Sequence, residues 1–162
     1  MKLLRTIRFD RSDERVYEVA AAESEWAVSG AFAFAGVERE ALVGKVRQAF
    51  ANGFLGLPSF GRSTFAVVAE AGDGVCDELA WRLASHFVNA YGAPTLEAAM
   101  PAAEEETAFV AELCRDVAIN TVFTVRRTLD SSGRIREEFR KIRPPTGEPQ
   151  HARIWKVVDD EA

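Results

Sequence analysis

The segment "NTVFTVRRTLDSSGRIREEFRKI", Asn120 to Ile142, decides how the rest of the chain is read. If Ser131-Ser132-Gly133 form a three-residue loop with Gly133 in the left-handed conformation, the two arms align as an antiparallel hairpin. Asp130 then faces Arg134, Leu129 faces Ile135, Arg127 faces Glu137, and Val125 faces Phe139. On the other face Arg126 meets Glu138. Apolar residues oppose apolar ones and charges oppose charges of the other sign, so the register is self-consistent. A four-residue loop would set Arg127 against Arg136. An antiparallel hairpin of this length needs neighbouring strands and a helical layer to bury one of its faces.

Those elements can be read outward from it. Before the hairpin, two segments have helical apolar spacing. Val75, Cys76, Leu79, Ala80, Leu83 and Phe87 form one stripe, which "YGAP" ends at Gly92. Phe109, Val110, Leu113, Cys114 and Val117 form the other, with Pro101 suited to a first turn and Glu104 to Glu106 favourable at the positive helix end. "STFAVVAEA" reads as a buried strand from Ser63 to Glu70. Upstream, Leu42, Val46, Ala49, Phe50 and Phe54 mark a helix beginning near Glu38, with Asn52-Gly53 as a left-handed stop.

The first third reads as strands. "KLLRTIRFD" sets Leu3, Ile7 and Phe9 on one face, and "RVYEVAA" follows a turn. "EWAVSGAFAFAG" sets Trp26, Val28, Phe32 and Phe34 on one face and small residues on the other. After the hairpin, "IRPPTGEPQ" is a connector and "HARIWKVV" a closing strand. The fold class expected is α+β. One domain over 1–158 has a mainly antiparallel sheet of six or seven strands against three principal helices, followed by an acidic tail over 159–162.

The composition narrows the function. The chain has 162 residues, a net charge of −5 and 48% hydrophobic residues. That is long enough for a core without metal or disulfide support, and too acidic for general nucleic-acid binding. No apolar run is long enough to span a membrane, and the start of the chain lacks a signal-peptide pattern, so a cytoplasmic location is expected. Cys76 and Cys114 have no closely spaced partner and fall within helical stripes, which points to reduced, buried thiols and no zinc site. No cofactor is expected.

Three constellations are candidates for chemistry. "GLPSFGRS" spaces Gly56 and Gly61 as a phosphate loop does, with Arg62 and Ser63 in its last two places. A phosphate loop needs a lysine there, and it opens a helix whose N–H groups hold the phosphate. Here arginine replaces lysine and the loop opens a strand, so a helix-to-strand joint is the better reading. His86 and His151 have no nucleophile at a spacing that would make a couple, so no catalytic residue is assigned. Charge, in contrast, is polarised. From Glu70 to Asp116 ten acids face two arginines, whereas from Asn120 to Lys156 nine basic residues face four acids.

Together "LLRTIRFD", "EWAVSGAFAF", "KVRQAFANGFLGLPSFGRSTF", "YGAP" and "IREEFR" resemble a small family of bacterial proteins of unknown function. The resemblance implies no activity, cofactor or catalytic residue. The leading expectation is a non-enzymatic accessory or interaction module, with a protein partner or a second copy of itself, using the hairpin arginines Arg126, Arg127, Arg136 and Arg140. On that reading, changing Arg127 and Arg136 to glutamate removes binding and leaves stability intact. The alternative is a binder of an acidic small molecule in an aromatic-lined cavity of Trp26, Phe32, Phe34 and Trp155, gated by arginines that include Arg62. An enzyme of unassigned chemistry is third, for which His86 would lie beside Cys114 or a carboxylate.

Overall fold

The computed structural model describes residues 1–142. Seven strands form one antiparallel sheet: β1 (Lys2–Ile7), β2 (Trp26–Val28), β3 (Phe54–Leu57), β4 (Arg62–Ser63), β5 (Phe65–Glu70), β6 (Val122–Leu129) and β7 (Ile135–Ile142). Their order across the sheet is β4-β3-β2-β1-β5-β6-β7. Three principal helices, α2 (Gly44–Asn52), α3 (Val75–Ala90) and α4 (Leu96–Cys114), join a single-turn α1 (Asp13–Val16). The α+β class with its antiparallel sheet is therefore as the sequence implies. "HARIWKVV", Trp155, His151 and the acidic tail lie outside the described residues.

The hairpin adopts the expected register: Val125 opposes Phe139, Arg126 opposes Glu138, Arg127 opposes Glu137 and Leu129 opposes Ile135. Gly133 sits at φ +83°. The Asp130 side chain fixes the loop by accepting from Ser132 N and Arg134 N, each at 2.9 Å.

α3 and α4 pack together over the sheet. Leu79, Leu83, Phe87, Val110 and Cys114 share one core with Leu4, Ala66, Val68, Phe123 and Val125. The alternate β5 positions Phe65, Val67 and Ala69 are only half-buried, the pattern of a sheet whose second face is thinly covered.

Several boundaries differ from the sequence reading. α4 begins at Leu96, because Thr95 caps it by accepting from Ala98 N at 3.0 Å. Pro101 thus lies inside the helix. The buried α4 stripe is Ala99, Ala103, Thr107, Val110 and Cys114, which leaves Phe109 44% exposed. "RVYEVAA" is not a strand: Arg15 and Val16 end α1, and Ala20 makes an isolated bridge to Arg62. "EWAVSGAFAFAG" stops being a strand at Val28, because Gly30 takes φ +80° and turns Ala31–Phe34 into a 3-10 helix. α2 starts six residues later than Glu38. It ends at Asn52 with Gly53 extended, at φ −100°, so no left-handed cap is present, and Phe54 belongs to β3. "GLPSFG" is neither phosphate loop nor plain joint. It turns β3 into β4, with Gly56 N donating to Gly61 O at 2.9 Å and the Leu57–Pro58 peptide cis.

Candidate functional site: an arginine-lined cleft beside α2

β5 meets β6 at Val67–Val122 and Ala66–Phe123, with Val68 bonding on to Thr121 and Asn120 just before β6. The outer half of the hairpin therefore projects past β5, and α2 packs along the flank left open. Asn52 Nδ2 donates to Val125 O at 3.4 Å there. The junction is locked by Arg127, whose side chain is wholly buried. Its Nε donates to Glu137 Oε2 at 2.8 Å, and its Nη1 to Phe50 O at 2.9 Å and Gly53 O at 3.0 Å. Its Nη2 donates to the backbone and hydroxyl oxygens of Ser29. Nη1 also lies 3.4 Å from Ala49 O, and Phe50 belongs to the last turn of α2, where carbonyls run out of helical partners and the helix dipole is negative. A guanidinium fork suits that end, since it satisfies several oxygens at once.

Arg62 is the second buried cation. Nη1 donates to Gly53 O at 3.1 Å, Nη2 to Gly30 O at 3.2 Å, and the guanidinium carbon stands 5.0 Å over the Phe34 ring. Burial, and then the neighbouring Arg127, push its pKa down to about 10. Arg62 and Arg127 therefore share Gly53 O and tie β4, β6, α2 and the Gly30 turn together.

Glu106 on α4 faces this cluster. Burial first, and Glu137 second, raise its carboxyl pKa, against the lowering effects of Arg127 and the Gly30 N–H. A carboxyl raised in the folded chain costs stability once it is ionised, above the ordinary range of about pH 4.3, and the cost disappears as pH falls through that range. Glu106→Gln is thus expected to raise the urea midpoint at pH 7 and to change nothing near pH 4. A lower midpoint at pH 7 would show that its charge is needed by Arg127.

Above the lock lies the cleft. A cavity of about 580 Å³ opens between α2 and β6, lined by Arg39, Arg47, Arg126 and Arg127 with Gln48, Asn52, Leu42, Phe50, Ala51, Thr128 and Leu129. None of these residues is acidic. Arg127 spends its donors on the protein and contributes its charge. Arg39 uses Nη2 on Asp130 O at 3.0 Å. Arg47 and Arg126 are exposed, and among the described residues neither has an ion pair. Although Arg126 opposes Glu138 in register, that carboxylate lies 3.8 Å from Arg140 Nε.

The expected site residues are thus divided. Arg126 and Arg127 meet in the cleft, where they join Arg39 and Arg47, which sequence reasoning did not single out. Arg136 is 74% exposed beside Asp130 at 3.6 Å, and Arg140 lies on the hairpin surface. Arg127 is not a surface residue. Placing glutamate there would set a carboxylate against Glu137 and four carbonyls, so the expectation that stability survives is corrected.

The aromatics disperse as well. Trp26 lies under the Arg5 guanidinium at 3.9 Å, Phe32 packs on Phe87 and Tyr91, and Phe34 packs on Phe50. His86 stacks on Phe60 with ring centroids 3.7 Å apart, and burial lowers its pKa. Cys114 is buried, and its thiol is pushed up to about 11 by that burial. Cys76 is half-buried. Among the described residues no cluster of His, Cys, Asp or Glu could hold a metal ion, and no helix is long and apolar enough to cross a membrane.

Fold and cleft define a single antiparallel α+β domain with an arginine-lined groove at the C-terminal end of α2. Residues 1–159 match a family of unknown function (DUF6505), and the chain belongs to that family. No curated protein and no solved structure matches it.

Proposed function

We propose that the chain is a non-enzymatic binding module that takes an acidic small molecule, bearing carboxylate or phosphate groups, in the cleft between α2 and β6. The observation that carries this reading is charge segregation: four arginines and no acid line a concave site in a chain of net charge −5. Its volume falls in the range typical of small-molecule pockets, ~300–1,000 Å³. Arg47 and Arg126 offer planar forks suited to carboxylate or phosphate, while Leu42, Phe50 and Leu129 supply apolar wall. The groove is open and has one aromatic, so it differs from the closed aromatic cavity anticipated from the sequence. A cytoplasmic setting fits two unpaired cysteines. A non-enzymatic role fits a histidine stacked on phenylalanine and a thiol held protonated.

A thermal-shift screen with ATP, acetyl-CoA and citrate tests the proposal, read alongside Arg47→Ala/Arg126→Ala. At least one acid should stabilise the wild type. The double variant should keep its own stability within ~0.5 kcal/mol and lose affinity by roughly tenfold or more. A shift that survives both substitutions, or no shift with any acid, counts against the cleft.

A further inference from the structure

The two edges of the sheet are finished differently. At β4, Arg62 N donates to Val19 O at 2.8 Å and Ala21 N to Arg62 O at 2.9 Å, so the Val19–Ala21 segment covers that edge. β7 is the other edge, and among the described residues no strand pairs with its outer side. Asp130 N donates to Arg134 O at 2.9 Å. By antiparallel alternation Arg136, Glu138 and Arg140 then turn their backbone groups toward β6, whereas Glu137, Phe139 and Lys141 turn theirs outward.

Charged edges normally deter strand pairing. This one inverts its sign about Phe139: Glu137 and Glu138 precede it, and Arg140 and Lys141 follow it. An edge of that kind is complementary to itself.

We infer that β7 pairs antiparallel with β7 of a second copy of this chain, about a two-fold axis through Phe139. The axis sets Glu137 opposite the partner's Lys141, and Glu138 opposite the partner's Arg140. Phe139 meets its own counterpart. Within β7 no other axis works: centring on Arg136, Glu137, Glu138, Arg140 or Lys141 places like charges on the axis itself, centring on Ile135 places arginine against arginine beside it, and centring on Ile142 pairs no other residue of β7. An axis between residues would set outward backbone groups against inward ones.

Two further observations sit on the same edge. Phe109, 44% exposed, lies 5.4 Å from the Phe139 ring, which also reaches Phe54 at 6.2 Å. At the axis the two Phe109–Phe139 pairs form one apolar seam on the helical side. Glu137 is paired with Arg127 on that face and Glu106 stands near enough to feel both charges, and the partner's Lys141 adds a second cation there.

Sedimentation of the full-length protein over a concentration series should show a dimer that dissociates on dilution. Arg140→Glu, at an exposed position, should weaken it by roughly tenfold or more, by setting like charges together. Glu138→Arg combined with Arg140→Glu should restore it, since the swap keeps every cross-axis pair opposite in sign. Hydrogen exchange should show the Glu137, Phe139 and Lys141 amides protected in the dimer and not in the dilute monomer. A protein that is monomeric at every concentration, with those amides protected by its own C-terminal segment or not, overturns the inference. So does a dimer indifferent to Arg140→Glu, or one that the charge swap fails to restore.

Discussion

Arg127→Ala is expected to lower the unfolding free energy by about 3–5 kcal/mol, the range for breaking a buried ion pair on one side. The guanidinium bonds to Glu137, to carbonyls of Ala49, Phe50, Gly53 and Ser29, and to the Ser29 hydroxyl. Alanine would take the guanidinium away from Phe50 O and Ser29 O in a site that water reaches poorly, leave Gly53 O to Arg62 alone, and leave Glu137 and Glu106 facing each other. Arg127→Lys should recover little, because a point ammonium cannot serve groups lying in three directions. Urea unfolding of both variants reads the effect. A loss below about 1 kcal/mol for Arg127→Ala would mean that solvent replaces the guanidinium, and that the lock between α2 and β6 is not structural.

Gly30→Ala should follow at about 2–4 kcal/mol, the sum of left-handed backbone strain and overpacking. Gly30 has φ +80°, and a Cβ there would lie 2.6 Å from Arg62 Nη1 and 2.7 Å from the Leu55 Cβ. The substitution pushes on the guanidinium that Gly30 O accepts from, so backbone strain and the Arg62 contact fail together. Gly133 supplies the internal control. It has φ +83°, but a Cβ there would meet nothing within 4 Å, so Gly133→Ala should cost only the backbone strain, about 1–2 kcal/mol. Equal losses at the two positions would remove the claim that the Gly30 turn is packed against Arg62.

The hairpin was legible because its information is local: one loop glycine and the pairs Leu129–Ile135, Arg127–Glu137, Arg126–Glu138 and Val125–Phe139 favour a single register. α3 was legible from its stripe and from Gly92. The segments from Ser29 to Val43 and from Phe54 to Ser63, on either side of α2, were not. "VSGAFAFAG" alternates well enough to read as strand, yet the left-handed turn at Gly30 depends on Arg62 and Leu55 packing against it, which alternation does not encode. "GLPSFG" hid a β3–β4 turn because both strands are short. Arg127 carried a usable signal: its pair with Glu137 lies between the apolar pairs Val125–Phe139 and Leu129–Ile135 on one face. An ion pair framed by apolar pairs belongs to a buried face, whereas Arg126 with Glu138 lies on the open one. Arg39 and Arg47 stood far from the hairpin in sequence; the packing of α2 against the flank of β6 brings Arg47 to it, and the 3-10 turn Arg39–Ala41 brings Arg39, which bonds to Asp130 O.

The central claim, that the cleft receives an acidic group, is tested most directly by following arginine side-chain Nε–H resonances during titration with citrate and ATP. The expected result is saturable shifts of Arg47 and Arg126, with Arg127 nearly still because its donors are committed inside the protein. Shifts confined to Arg136 and Arg140 on the outer hairpin, or no saturable shift with either acid, would contradict it.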